Sequence, residues 1–119
     1  MKYPFLKTWW IDGAALLGGR YPGTQHASEQ EQMLAELLDC GVTRFVCLQE
    51  ETETGAGTSP FPDYRPAVRH LASQRGMSID FRRFPIRDQG VPSLALMTEI
   101  LDYLDEQLAA GHKIYLHCW

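Results

Sequence analysis

Met33-Leu34-Ala35-Glu36-Leu37-Leu38-Asp39-Cys40-Gly41-Val42-Thr43-Arg44-Phe45-Val46-Cys47-Leu48 changes its hydrophobic period at a glycine, and that change decides the fold class. Before Gly41, the residues Met33, Leu34, Leu37 and Leu38 recur at a spacing of three to four, which gathers them on one face of a helix. Ser28 followed by Glu31 reads as an S-x-x-E capping box for the helix start, and Gly41 as its stop. After Gly41, Val42 to Leu48 carries Phe45, Val46, Cys47 and Leu48 as a continuous apolar run, the pattern of a strand covered on both faces. A helix feeding directly into a doubly buried strand is the basic unit of an α/β sheet.

Working outward, the same alternation continues. Gln49 to Asp63 holds Gly55, Gly57, Ser59, Pro60 and Pro62 and reads as a long loop. Arg65 to Arg75 reads as a helix, with Pro66 suited to its first turn, Val68, Leu71 and Ala72 on one side, and Gly76 ending it. Ile79 to Phe84 alternates apolar with charged residues as a strand. Ser93 caps a long helix whose Leu94, Met97, Ile100, Leu101, Leu104 and Leu108 form the expected buried stripe; Gly111 ends it before the strand Lys113 to His117. Upstream, residues 9–21 carry Gly13 and Gly18-Gly19 between two short apolar segments, as a hairpin or a pair of edge strands would. The expected fold is therefore α/β: one domain over residues 1–119, with a mostly parallel sheet of about four to five strands flanked by helices. Such sheets bind ligands beyond the carboxyl ends of their strands. Three stretches fall there: the loop after Leu48, the segment Pro85 to Pro92, and Cys118.

Composition narrows the function. The 119 residues are 45% hydrophobic and 22% charged, a globular balance that excludes disordered, collagenous and coiled-coil classes. A net charge of -4 argues against a surface built for nucleic acid or anionic membrane, while leaving a small phosphorylated ligand possible. No membrane-length apolar run and no signal sequence at Met1 to Trp10 is visible, so a cytoplasmic setting is expected. Cys40, Cys47 and Cys118 form no C-x-x-C pair, and His26, His70, His112 and His117 show no metal-binding spacing; neither metal nor cofactor is expected.

Cys118 directly follows the apolar strand Lys113 to His117, which holds it at a strand tip as a nucleophile requires. Taken alone, a cysteine there is more often an inert buried thiol. Asp88 lies in a loop bounded by Pro85, Gly90 and Pro92, where a carboxylic acid can close over a ligand as a general acid; a turn aspartate is the plainer alternative. Arg82, Arg83 and Arg87 add positive charge to that stretch, although a solvated strand face explains Arg82 and Arg83 equally well.

Together these residues resemble the cysteine-dependent protein phosphatases, tyrosine-specific or dual-specificity, and the compact bacterial members in particular. In that family a strand of the form V-Y-x-H-C enters a phosphate loop, H-C-x-x-G-x-x-R-[ST], downstream of a loop bearing an acidic aspartate. The matching pieces are Ile114-Tyr115-Leu116-His117-Cys118-Trp119 and Phe84-Pro85-Ile86-Arg87-Asp88, preceded by Leu16-Leu17-Gly18-Gly19-Arg20-Tyr21-Pro22-Gly23 and Gly41-Val42-Thr43-Arg44-Phe45-Val46-Cys47-Leu48. They occur in the family's order along nearly the whole chain.

The resemblance implies that Cys118 attacks phosphorus and that Asp88 protonates the leaving group. It also implies that His117, and Trp119 as the first residue of the loop, support phosphate binding. The substrate would be a phosphorylated protein, at phosphotyrosine or phosphoserine/threonine, or a small phosphomonoester. The family's arginine and loop glycines have no counterpart, since only Trp119 follows Cys118. The expectation is thus a catalytic domain incomplete at its C-terminus, without its last helices, silent as written and prone to self-association. A noncatalytic phosphatase-like binding module is the alternative; an unrelated redox α/β protein is the remote one. The loop Gln49 to Asp63 is the expected seat of selectivity, and Cys47 is expected on a strand next to that of Cys118.

Overall fold

Glycine ends each of the three described helices for the same reason, Gly76 with φ 65° among them. Gly41 and Gly111 have φ of 95° and 87°, left-handed values that carry a steric cost for residues with a Cβ. Their amides return to Leu38 O at 2.9 Å and Leu108 O at 3.0 Å, closing the last turn and releasing the chain into a strand. The computed structural model describes residues 8–12, 15–19, 22, 26–49, 63–86 and 93–117. In chain order the elements are β1 (Thr8–Asp12), β2 (Leu16–Gly19), α1 (Ala27–Asp39), β3 (Val42–Gln49), α2 (Arg65–Gln74), β4 (Asp80–Ile86), α3 (Leu94–Ala109) and β5 (Lys113–His117).

The strands lie in the order β1-β2-β5-β3-β4. β2, β5, β3 and β4 are mutually parallel, and β1 joins β2 antiparallel as the expected hairpin. The topology explains the layers. From β2 through α1 to β3, and through α2 to β4, the chain steps in one direction across the sheet; α3 then carries it back to β5. Right-handed crossovers put helices of opposite direction on opposite faces. Accordingly, Leu34, Leu37 and Leu38 of α1 and Val68 and Leu71 of α2 pack with Leu17, Phe45 and Tyr115 on one face. Ile100 and Leu104 of α3 pack with Leu16, Val46, Phe84 and Ile114 on the other. Alternate residues of β5, and of β3 from Phe45 onward, thus serve separate cores, which is why both strands read as continuous apolar runs.

Three local expectations are corrected. Helix α1 starts at Ala27 with His26 at its N-cap, in extended conformation (φ -95°, ψ 107°), so Ser28 lies inside the first turn and caps nothing as an N-cap residue. β4 runs through Pro85 to Ile86. It tolerates the proline because, among the described residues, it pairs only with β3 and its outer edge needs no amide there. In α3 the stripe is rotated: Ile100 and Leu104 are buried, with Leu96, Tyr103 and Leu108 packed beside them. Leu94, Met97 and Leu101 are exposed at 83%, 40% and 52%. The remaining features match: Ser93 Oγ accepts from the Leu96 amide at 3.1 Å as a cap, and Pro66 stands in the first turn of α2.

The amino ends of β3 and β5 are fastened to α3 by a polar cluster. Arg44 Nε donates to Gln107 Oε1 at 2.9 Å, and Arg44 Nη2 lies 3.0 Å from His112 Nε2, whose Nδ1 is 2.9 Å from Thr43 Oγ1. No described helix is long and apolar enough to cross a membrane.

Candidate functional site

At the opposite, carboxyl end of the sheet, the register lines up four residues. Gly19 of β2 is abreast of His117 of β5, His117 of Cys47 of β3, and Cys47 of Arg83 of β4. His117 therefore ends the strand at the middle of the sheet, flanked on both sides, and Cys118 is the next residue in the chain. Side chains alternate along a strand. Counting from Tyr115, Phe45 and Phe81 in the α1/α2 core, His117, Cys47 and Arg83 belong to that same face.

The imidazole of His117 is 2% exposed and held by two tyrosines. It stacks on Tyr115 with ring centroids 5.7 Å apart and an interplanar angle of 30°. Tyr64, the N-cap residue of α2, meets it edge-on at 5.4 Å and 69°. The Tyr64 hydroxyl lies 2.6 Å from His117 Nε2, a hydrogen bond buried between groups 53 residues apart. Tyr64 is in turn wedged against Phe45 and Phe81, at centroid distances of 6.0 and 6.2 Å. Leaving either polar partner buried without the other would cost about 1–3 kcal/mol, so the pair is a constraint on the site.

Beside this row opens a cleft of about 100 Å³ lined by Phe45, Cys47, Tyr64, Phe81, Arg82 and Arg83, with Asp63 and Arg65 at its rim. The connection leaving β3 crosses one face of the sheet in α2, and that leaving β4 crosses the other in α3. A crevice between two such neighbouring strands is where open α/β sheets bind ligands. At the rim the Arg65 side chain grips Asp63 at both carboxylate oxygens, at 2.9 and 3.0 Å, while Asp63 Oδ1 accepts the Arg65 amide at 3.0 Å. The Arg65 guanidinium holds the Asp63 carboxyl below its ordinary value, against a smaller opposing effect of burial.

The arginines divide. Arg83 faces the cleft, but the guanidinium of Arg82 turns to the other side of β4, over Phe84 at 4.9 Å and Tyr103 at 5.7 Å, where it pairs with Glu99 at 3.1 Å. Of the two readings open for Arg82, its guanidinium supports the strand face turned from the cleft, as strand alternation requires. Cys47 is buried on the strand next to β5, as expected. His26, His70 and His112 lie respectively at the cap of α1, on α2 and at the amino end of β5, apart from His117. Cys118, Trp119, Asp88 and Arg87, and most of the loop Gln49 to Asp63, lie outside the described residues. Tyr64 is the site residue that sequence reading passes over. No local pattern links it to a histidine that distant in the chain.

No protein-family model and no curated protein matches the chain. Solved structures do. Tk-PTP in its active form superposes with a TM-score of 0.60 at 23% identity, covering 96% of this chain and 63% of that one. Kinase associated phosphatase (KAP), with its catalytic-site cysteine replaced by serine, gives 0.60 at 24% identity, covering 87% and 56%. A candidate phosphatase (DUF442) from Shewanella putrefaciens CN-32 gives 0.58 at 20% identity, covering 94% and 58%. The chain spans about three fifths of the length of these structures. The described elements have the phosphatase-like fold that these proteins share.

Proposed function

We propose that this chain carries the nucleophile-bearing part of a cysteine-dependent phosphatase acting on phosphomonoesters, with tyrosine or dual specificity toward phosphorylated proteins. The observation that supports it is the place of His117 at the end of the central parallel strand, buried and hydrogen-bonded to Tyr64, with Cys118 next in sequence. In this reading the Cys118 thiolate attacks phosphorus while the bond to the leaving oxygen breaks, and Asp88 gives its proton to that oxygen. The Asp88 carboxylate then takes a proton from water, whose oxygen displaces the thiolate and releases inorganic phosphate. His117 and Trp119 flank the nucleophile and support phosphate binding. A reducing, cytoplasmic setting suits a free thiolate.

In such chemistry the phosphoryl oxygens are held by an arginine fork and loop amides that follow the cysteine. Residues 1–119 hold only Trp119 after Cys118. Each preorganised donor is worth about a hundred- to a thousandfold in rate, so residues 1–119 by themselves are expected to give no turnover. The test is hydrolysis of p-nitrophenyl phosphate by these residues and by the protein expressed from its own gene, each beside Cys118→Ser. Turnover by the gene product, lost in Cys118→Ser, supports the reading; equal turnover by both overturns the mechanism. Binding of a phosphopeptide without turnover in the gene product would favour the noncatalytic module. Cys118-dependent turnover by residues 1–119 alone would overturn the expectation of silence.

A further inference from the structure

The chain is acidic as a whole, yet its cations are gathered: six of the eleven lysines and arginines fall between Arg65 and Arg87, a stretch that holds one carboxylate, Asp80. The fold divides the described ones. Arg75 pairs with Asp39 at 3.0 Å at the far end of α2, and Arg82 with Glu99 at 3.1 Å on the α3 side of β4. Arg65, Arg69 and Arg83 lie on the other side of the sheet, and all three are exposed. Arg65 and Arg69 are one helical turn apart on α2, and Arg83 shares with Phe81 one face of β4. Phe81 is the floor between them: the Arg69 guanidinium stacks over its ring at 4.9 Å, and Arg65, Phe81 and Arg83 line one cleft.

An arginine stacked on a ring uses its flat face and keeps its in-plane N–H donors for an anion. Stacking also fixes the long side chain beforehand, which lowers the entropy lost on binding. Among the described residues, the Arg69 guanidinium meets this ring and no hydrogen-bonded carboxylate. Asp63 shows what the cluster does to an anion. The Arg65 fork takes both its oxygens, and Arg69 adds to the field that holds the carboxyl below its ordinary value against a smaller effect of burial. The outer edge of β4 is poorly suited to a further strand, because the Phe81 amide is taken by Asp80 Oδ1 at 2.9 Å and Pro85 has no amide proton. A partner at this edge is held by side chains. The rest of the chain carries the net negative charge and repels a long polyanion, whereas a short carboxylate-bearing segment meets the arginines without crossing it.

We propose that Arg65, Arg69 and Arg83 around Phe81 form a docking surface for an acidic segment of a protein partner, whose Asp or Glu side chains take the guanidinium donors. The surface stands apart from the nucleophile reading, since neither Cys118 nor Asp88 belongs to it.

The test is fluorescence anisotropy of the 119-residue chain with a labelled, unphosphorylated peptide of alternating glutamate and glycine, beside its glutamine counterpart and an oligothymidylate. Saturable binding of the glutamate peptide is expected, weakened by added salt and absent with glutamine. Arg69→Gln and Arg83→Gln should each weaken it by about two- to fivefold, the range of an exposed ion pair. Arg75→Gln removes the same charge outside the cluster and should leave binding unchanged. Asp63→Asn releases Arg65 from its internal carboxylate and should tighten binding severalfold, a gain that no loss of folding imitates. No saturable binding, equal weakening by Arg75→Gln, or indifference to both Arg69→Gln and Asp63→Asn would overturn the proposal. Tighter binding of oligothymidylate would make this a nucleic-acid surface, and dimerisation in sedimentation that Arg69→Gln abolishes, without peptide binding, would give it to a second copy; either result overturns the proposal as well. Cys118→Ser should bind the peptide as the wild type does, so failure of the nucleophile reading and failure of this one are told apart.

Discussion

Truncating Leu104 to alanine is expected to cost far more than truncating Leu101, although both sit on the same apolar stripe in the sequence of α3. Leu104 is 7% exposed and packs in the core cluster of Ile100, Phe84 and Val46, whereas Leu101 is 52% exposed. Removing the three outer carbons of a buried leucine loses roughly 2.4 kcal/mol of transfer free energy at about 0.8 kcal/mol per carbon. The cavity left behind raises the usual Leu→Ala cost to about 3–5 kcal/mol. Leu104 touches the surface and its neighbours can partly relax, so about 3 kcal/mol is the figure to expect. Leu101 is about half buried and leaves no enclosed void, so its loss should be about 1 kcal/mol by the same scale. The difference of roughly 2 kcal/mol is measurable by urea denaturation of residues 1–119, and both variants should retain the wild-type m-value. Equal costs, or a larger cost at Leu101, would refute the orientation assigned to α3 and with it the composition of the core on that face.

Smaller perturbations test other joints of the fold. Gly111→Ala adds no contact within 4 Å but forces a Cβ into φ 87°, so a loss of about 1–2 kcal/mol is expected in the same denaturation assay. Ser93→Ala removes the acceptor of the Leu96 amide and should cost about 1 kcal/mol. The Asp63 carboxyl is held below its ordinary value by Arg65, so its contribution is present above the ordinary carboxylate value, about 3.9, and is lost as pH falls through the lowered one. The pair is half exposed, so Asp63→Asn should lower stability at pH 7 by less than about 1 kcal/mol, a deficit that shrinks on acidification. A deficit that grows on acidification would reverse the sign of the assignment. In the gene product, Asp88→Asn should slow turnover mainly for esters with poor leaving groups; uniform slowing across leaving groups would count against its role as general acid.

The parts of this molecule legible in its sequence are those written in short-range physics. Gly41, Gly76 and Gly111 stop helices because left-handed backbone is cheap at glycine, and β3 and β5 read as buried strands because each serves two cores. Ser93 was recognisable as a cap, but Ser28 was not separable from His26, since the difference is one residue of register at a helix start. α3 carries large apolar residues at 94, 96, 97, 100, 101, 103, 104 and 108, too wide a stripe for spacing to choose its buried side. What chose it was the sheet, and the placing of β5 between β2 and β3 is a nonlocal pairing that no local period encodes. The site divides in the same way. His117 and Cys118 stand out at the end of an apolar strand, but Tyr64 becomes a site residue only when α2 folds over the carboxyl ends and brings its hydroxyl to a histidine 53 residues later.

The central claim is that Cys118 accepts a phosphoryl group, and trapping that group tests it most directly. The gene product would be quenched rapidly during turnover of p-nitrophenyl phosphate, digested, and its peptides weighed. The account predicts a phosphoryl group on the peptide containing Cys118, absent from Cys118→Ser and longer-lived in Asp88→Asn. Sustained hydrolysis with no phosphoryl group on Cys118, undiminished in Cys118→Ser, would contradict it.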